Sequence, residues 1–402
     1  NFLADYAIKN SLPSGGIFFA ITAVMLFLVR VTIGKLADKK GEGIFVYSCN
    51  AAMLAAFLLL AFAPGNFSFY LAAVLAGYAF GGIEPALQSM AVHIAPPERR
   101  GSANSTFLCA YDIGLGGGGG IAGVHCENAG VIDARIAELK ASGLGADVVS
   151  HPISRPDYLE AEAVSRLLRI AQAADAPVII VHTTNRASLD EIAAARRRGQ
   201  TVYVETCPQY LALDDGVYYD PDFSSAARYV CAPPIRSQED CEALWKALRR
   251  GEVQTISTDH CSFTLEQKDM GREDFTKIPG GLPGVETRGE VVCTIAENEN
   301  KLSLAGVCRA LSENPAKLYG LFPRKGVIAP GSDADIVVYD PGASHVLHGA
   351  ELLSKAGYTP FEGFRTNGGV SKVYLRGQLQ VDGGKVIGGK MGEYLKRGKC
   401  AL

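Results

Sequence analysis

The chain has 402 residues, which excludes one small domain and leaves room for two or three of roughly 100–200 residues each. Its 39 Lys and Arg stand against 42 Asp and Glu, and a formal net charge of −3 excludes any general electrostatic attraction to nucleic acid. The charge is unevenly placed: residues 1–123 carry only seven Lys/Arg and six Asp/Glu, so the two parts are built for different solvents. Ten cysteines occur without a C-x-x-C or a close Cys/His quartet, which speaks against a disulfide framework or structural zinc knot and for reduced thiols.

In chain order, the first apolar run is IFFAITAVMLFLV (17–29), which with residues 31–34 approaches the roughly 20 residues that cross about 30 Å of hydrocarbon. Arg30 sits at its end. Further runs at 44–63, 67–94 and 103–123 predict about four spans, an all-α membrane-type segment over 1–123. Lys35, Lys39 and Lys40 fall between the first two spans, and Arg99 and Arg100 between the last two, while 64–66 is uncharged. That alternation predicts both basic loops in the cytoplasm and the end of the fourth span on the opposite side. Glu84, beside Pro85, is a candidate intramembrane carboxylate or a packing residue. The run GLGGGGG (114–120) lacks the strand-helix context of a dinucleotide loop and reads as close packing or a junction.

From residue 124 the pattern becomes alternating strand and helix, as in a parallel α/β sheet or barrel. VHCEN (124–128), PVIIVHTT (177–184), TVYVETCPQY (201–210) and VQTISTDH (253–260) read as strands, with amphipathic helical stretches between them. Their ends carry His125, His182, Glu205 or Cys207, and Asp259. In a parallel barrel such ends converge on one face, and two imidazoles with a carboxylate are suitable zinc ligands. Each also has an ordinary reading as a structural strand-end residue or a loop cap. His260 is either a proton-transfer assistant or a supporting group; His93, His151, His345 and His348 read as ordinary, and Cys126 as a packing residue. Residues 326–340 and 369–389 alternate like strands.

The loops GKLADKKG (34–41) and PPERRGSANSTF (96–107) resemble those of major facilitator superfamily transporters, which implies four of the usual twelve helices. The motifs VHCEN, SRPDYLEAEAVSRLLRIA, VIIVHTT, VYVETCPQYL, CAPPIRS and TISTDHCSFTLEQKDMGREDFTKIPGGLPGVETR resemble the dihydropyrimidinase and D-hydantoinase family of the amidohydrolase superfamily. The resemblance implies the C-terminal half of a (β/α)8 barrel over 124–325 and a remnant of a small β-sandwich over 326–402. It also implies hydrolytic opening of a cyclic ureide by two divalent metals, usually zinc, in a cytoplasmic enzyme that is often homotetrameric. On the matching positions, His125 and His182 hold the second metal. Asp259 ligates the first and carries the proton, and Ala232 and Gly280 position the ring.

The family's H-x-H pair, bridging carboxylated lysine and substrate tyrosine have no counterpart, and no lysine stands between Lys40 and Lys140. The expectation is therefore at most one weak metal site and impaired hydrolysis. The alternatives are a membrane transporter fragment, or a non-functional fusion joined near 120–124.

Overall fold

A computed structural model describes residues 6–7, 10, 12–40, 42–62, 65–94 and 121–402. The chain divides into two compact units, Asn1–Leu108 and Cys109–Leu402.

In the first unit three helices follow one another: α1 (Gly15–Lys40), α2 (Glu42–Phe62) and α3 (Asn66–Ile94). Their apolar residues face all directions, with Leu54, Phe57 and Phe62 of α2 all exposed, as expected of helices suited to a lipid solvent. Small residues set the α1–α3 contact. A Cβ on Gly77 would stand 2.6 Å from Met25 Cβ, and one on Gly81 3.0 Å from the Leu26 carbonyl, so the GYAFG spacing permits close backbone approach. Thr22 Oγ1 adds a hydrogen bond to the Ala73 carbonyl at 3.2 Å.

Two segments, Gly43–Phe62 and Asn66–Leu87, are long and apolar enough to cross a membrane, whereas the apolar part of α1, Gly16–Arg30, is shorter. Of the expected fourth span, residues 103–120 lie outside the described residues. Residues 122 and 123 belong instead to a strand of the second unit, because they pair with Val178 and Ile179. Arg99, Arg100, the glycine run at 114–120 and the side chains of Lys35, Lys39, Lys40, Glu84 and His93 are also outside the described residues.

The second unit opens with a parallel sheet of β1 (Ala122–Val124), β2 (Val178–Ile180), β3 (Val202–Thr206) and β4 (Thr255–Ile256), in spatial order β1-β2-β3-β4. Helices α4 (Ala129–Ala141) and α5 (Asp157–Ala173) return the chain from β1 to β2, α6 (Arg186–Arg197) from β2 to β3, and α7 (Gln238–Arg250) from β3 to β4. Each helix is bounded by signals present in its sequence. Asn185 caps α6 by accepting from Ser188 N, and Ser237 caps α7 by accepting from Asp240 N. Glu239 and Asp240 open α7, Arg249 and Arg250 close it, matching the helix dipole, and Gly251 ends it at φ 73°. The buried face of α5 repeats at helical spacing through Leu159, Ala163, Val164, Leu167, Leu168 and Ala171 and joins Val178 and Ile180 in the core.

A second sheet is an antiparallel meander of β5 (Ile336–Asp340), β6 (Gly369–Leu375), β7 (Gln378–Asp382) and β8 (Lys385–Val386). The strand pattern expected over 326–340 is realised only from Ile336, since the turn around Pro330-Gly331, with Gly331 at φ 90°, breaks the earlier part.

Candidate active site

The parallel strands carry their polar residues to one end. His125 follows β1 directly, His182 lies two residues beyond β2, Glu205 is within β3, and Asp259 stands three residues after β4. His182 (φ 38°) and Asp259 (φ 47°) are both in the left-handed region, which costs an L-residue on the order of 1–3 kcal/mol and marks strand ends shaped for more than pairing.

His125 and His182 meet. Nδ1 of His125 lies 3.0 Å from Nε2 of His182, with the ring centroids 4.8 Å apart. The other nitrogen of His125, Nε2, stands 3.1 Å from Glu127 Oε2, and Arg155 Nη1 holds that same oxygen at 2.7 Å. Burial opposes the Glu127 carboxylate, but the His125 hydrogen bond and the Arg155 guanidinium outweigh it and hold its pKa at about 2. With its Nε2–H directed at the carboxylate, Nδ1 of His125 is the acceptor that faces His182 Nε2; a carboxylate on the far nitrogen is also how proteins orient a ligating imidazole. Burial, then the neighbouring His125, lowers His182 to about 3, and its buried Nδ1 has no hydrogen-bond partner.

Glu205 and Asp259 form the acidic side of the same strand ends. Burial raises Glu205 to about 7; the Asp259 charge adds to that, against the His182 backbone N–H, Arg288 and Ser257. Asp259 itself is exposed, and its charge also reaches Cys207, Cys231 and Cys261.

Ala232 and Gly280, distant in sequence, are neighbours: a Cβ on Gly280 would stand 3.5 Å from Ala232 Cβ. His260 is committed elsewhere, its Nδ1 accepting from Gly284 N at 3.1 Å and Val285 N at 3.3 Å. His345 and His348 are exposed and pair with Glu290 and Glu362. His151 is buried, its Nε2 2.7 Å from the Cys231 carbonyl. Cys126 is buried against the Val124 carbonyl.

A buried network supports the histidine strand ends, and sequence reading did not single it out. Arg236 Nη2 pairs with Glu160 Oε2 at 3.2 Å, its Nε donates to Thr184 Oγ1 at 3.1 Å, and its Nη1 donates to the Arg155 carbonyl. Thr184 in turn donates through its N–H to Glu160 at 3.0 Å and through its hydroxyl to the same carboxylate. Only the two-residue spacing of Glu127 from His125 was a local clue; Arg155, Glu160 and Arg236 come from other elements.

The two imidazole nitrogens are hydrogen-bonded to one another at 3.0 Å, a few tenths of an ångström closer than the roughly 3.3–3.4 Å that separates two ligands of a tetrahedral zinc, so a small separation of the rings would let both face one cation. No group of three His, Cys, Asp or Glu able to hold a metal ion occurs among the described residues, Asp259 included. The donor set therefore does not fit a bridged two-metal centre.

Residues 132–380 match the profile of the Amidohydrolase family, and residues 4–134 match that of the Major Facilitator Superfamily. The first of these matches spans more than half of the chain, takes in β2 to β4 with His182 and Asp259, and makes the chain a member of the Amidohydrolase family. Within it, the similarity is to hydantoinases. The D-hydantoinase of Rhizobium radiobacter is 42% identical over 283 residues, 70% of this chain and 61% of its own length. A D-phenylhydantoinase of Escherichia coli is 38% identical over 282 residues, 69% of this chain and 60% of its own. A solved D-hydantoinase superimposes with a TM-score of 0.71 at 39% identity, over 74% of this chain and 65% of that one. The dihydropyrimidinase of Brevibacillus agri gives 0.67 at 38% identity, over 70% and 61%. The chain spans about three fifths of the length of the curated relatives it matches.

Proposed function

We propose that residues 124–402 derive from a cyclic-amide hydrolase that opens dihydropyrimidines or 5-substituted hydantoins, and that they retain its ring-holding and proton-carrying side without a complete two-metal centre. The observation that carries this reading is the convergence of His125 and His182 at 3.0 Å, with Glu127 orienting the first ring, at the ends of adjacent parallel strands. In this reading β1 to β4 are the second half of an eight-stranded barrel (124–325), the meander is the return of a small β-sandwich (326–402), and residues 1–123 are transporter-like helices that place the chain at a membrane.

The roles are those that the resemblance to the hydantoinase family implies for these positions. The paired backbones of Ala232 and Gly280 hold the flat edge of the ring. The exposed Asp259 carboxylate accepts a proton from attacking water and returns it to the amide nitrogen that leaves. His125 and His182 offer two imidazole nitrogens to one divalent cation, zinc above others, and two imidazoles alone are a weak site.

The test is metal analysis of the purified full chain loaded with zinc, alongside ring opening of hydantoin and dihydrouracil. At most one ion per chain and no metal-dependent turnover is expected. Two ions per chain with turnover would overturn the claim of an incomplete centre. Absence of hydantoin binding by the wild-type chain would overturn the ring-holding claim.

A further inference from the structure

The loops around Ala232 and Gly280 divide their backbone groups into two sets. Every neighbouring carbonyl is engaged from within. Lys268 Nζ donates to the carbonyls of Val230, Pro279 and Gly281 at 2.7, 2.7 and 2.8 Å. His151 Nε2 lies 2.7 Å from the Cys231 carbonyl, and Tyr210 Oη donates to that of Pro233 at 2.8 Å. Gly281 N donates to the Val230 carbonyl at 3.0 Å, tying the two loops directly. Among the described residues, the N–H and C=O of Ala232 and Gly280 have no internal hydrogen-bond partner. These two residues are half-buried and exposed, while Cys231, Pro233 and Gly281 beside them are buried. The unengaged groups are therefore the accessible ones.

Lys268 is what the two loops share. Its side chain is fully buried, an unusual place for an ammonium, and its three protons meet three carbonyls drawn from both loops. The residue sits on a single helical turn, α8 (Leu265–Asp269), whose start is fixed by a capping box between Thr264 and Gln267. A buried ammonium satisfied on all three protons sets the spacing of the carbonyls around it, because moving any one of them leaves a charged donor without a partner.

We propose that Lys268 is a positioning residue for ring recognition. By holding the Val230, Pro279 and Gly281 carbonyls, it fixes the separation at which Ala232 and Gly280 present free N–H and C=O groups to a ligand with neighbouring amide N–H and C=O groups, such as a cyclic ureide. This rests on the reading of the site as a ring-binding one. Lys268 touches no ligand in it and acts through the two loops.

The experiment compares wild type, Lys268→Met and Lys268→Gln as full chains in mild detergent. Amide hydrogen exchange is read over residues 230–233 and 279–282, and hydantoin binding by saturation-transfer NMR is normalised to the folded fraction. Lys268→Met should speed exchange of the Gly281 amide at least tenfold and weaken hydantoin at least tenfold, with β6 and β7 exchange unchanged. Lys268→Gln, which keeps two donors, should fall between, and it carries the comparison if Lys268→Met does not fold. Unchanged loop exchange and unchanged binding per folded molecule would overturn the proposal, even if global stability fell. If wild type binds no hydantoin, the ring-holding reading fails, and loop exchange still decides whether Lys268 ties the two loops.

Discussion

Substituting Arg236 by Met tests the buried network under the histidine strand ends. The guanidinium is 8% exposed and Glu160 2%, so neither is screened by water. Arg236→Met removes three donors at once: those to Glu160 at 3.2 Å, to Thr184 Oγ1 at 3.1 Å and to the Arg155 carbonyl. Stranding one member of a buried ion pair costs about 3–5 kcal/mol, against about 0–1 for a surface pair. On that scale the folding equilibrium should shift at least a hundredfold. The assay is urea unfolding of the full chain in mild detergent, followed by the fluorescence of Trp245, the single tryptophan and a fully buried one in the α/β core. A companion Glu160→Gln/Arg236→Met chain should recover a large part of the loss, because it leaves no charge behind. Burial already raises the Glu160 pKa against the opposing Arg236 charge. Without Arg236 the acid should hold its proton further, and the variant should lose stability as pH rises through that raised value. An Arg236→Met midpoint equivalent to less than 1 kcal/mol from wild type would refute the reasoning, because the network would then be no stronger than a surface pair.

Three further outcomes follow from particular contacts. His151 is held at about 3 by burial, then by Arg155, so the unfolded chain binds a proton that the folded one refuses between about pH 6.5 and 3. Stability from this group is complete above pH 6.5 and falls by about 1.4 kcal/mol per unit within that window; His151→Gln should flatten the difference slope in urea titrations. Glu205, raised to about 7, acts with the opposite sign, its contribution being lost as pH rises from 4.5 through 7, so only the wild-type-minus-variant difference isolates His151. Gly349→Ala would set a Cβ 2.4 Å from Tyr358 Cα, a backbone atom that cannot swing aside, and should cost about 1–3 kcal/mol or more in thermal unfolding. Leu167→Ala, at 1% exposure on α5, should cost about 2–5 kcal/mol by opening a cavity, with circular dichroism otherwise unchanged.

Much of the second unit was legible because its signals are local. Alternation of apolar runs with helical spacing located β1 to β4 and the helices between them, whereas the caps at Asn185, Ser237 and Gly251 that bound α6 and α7 emerged from the structure. The strand-end histidines were legible for the same reason, since a strand that stops at a given residue delivers its next polar side chain to a known edge. The close approach of Ala232 and Gly280 followed from motif resemblance alone, because nothing in their 48-residue separation encodes it. What escaped was non-local. Lys268 on a short polar helix reads as solvated, and only the carbonyls of two other loops make its burial tolerable. The Glu160–Arg236 pair likewise joins a helix to a loop, and each partner alone looks like surface charge. In the first unit, composition gave apolar helices but not their lengths: the apolar part of α1 stops at Arg30 while the helix continues to Lys40.

The order β1-β2-β3-β4 means that each new strand lies beside the one made just before it. A growing chain can then lay down this sheet from one side, every βα unit docking on its predecessor while later residues are still being synthesised. The closing steps come at the other extreme: Gly398 N reaches the Gly320 carbonyl at 2.7 Å and Ala401 N reaches that of Lys317 at 2.9 Å. These fastenings form only after residues 398–401 leave the ribosome, so a nascent chain stalled short of residue 398 would carry all four strands of the parallel sheet with this latch still open.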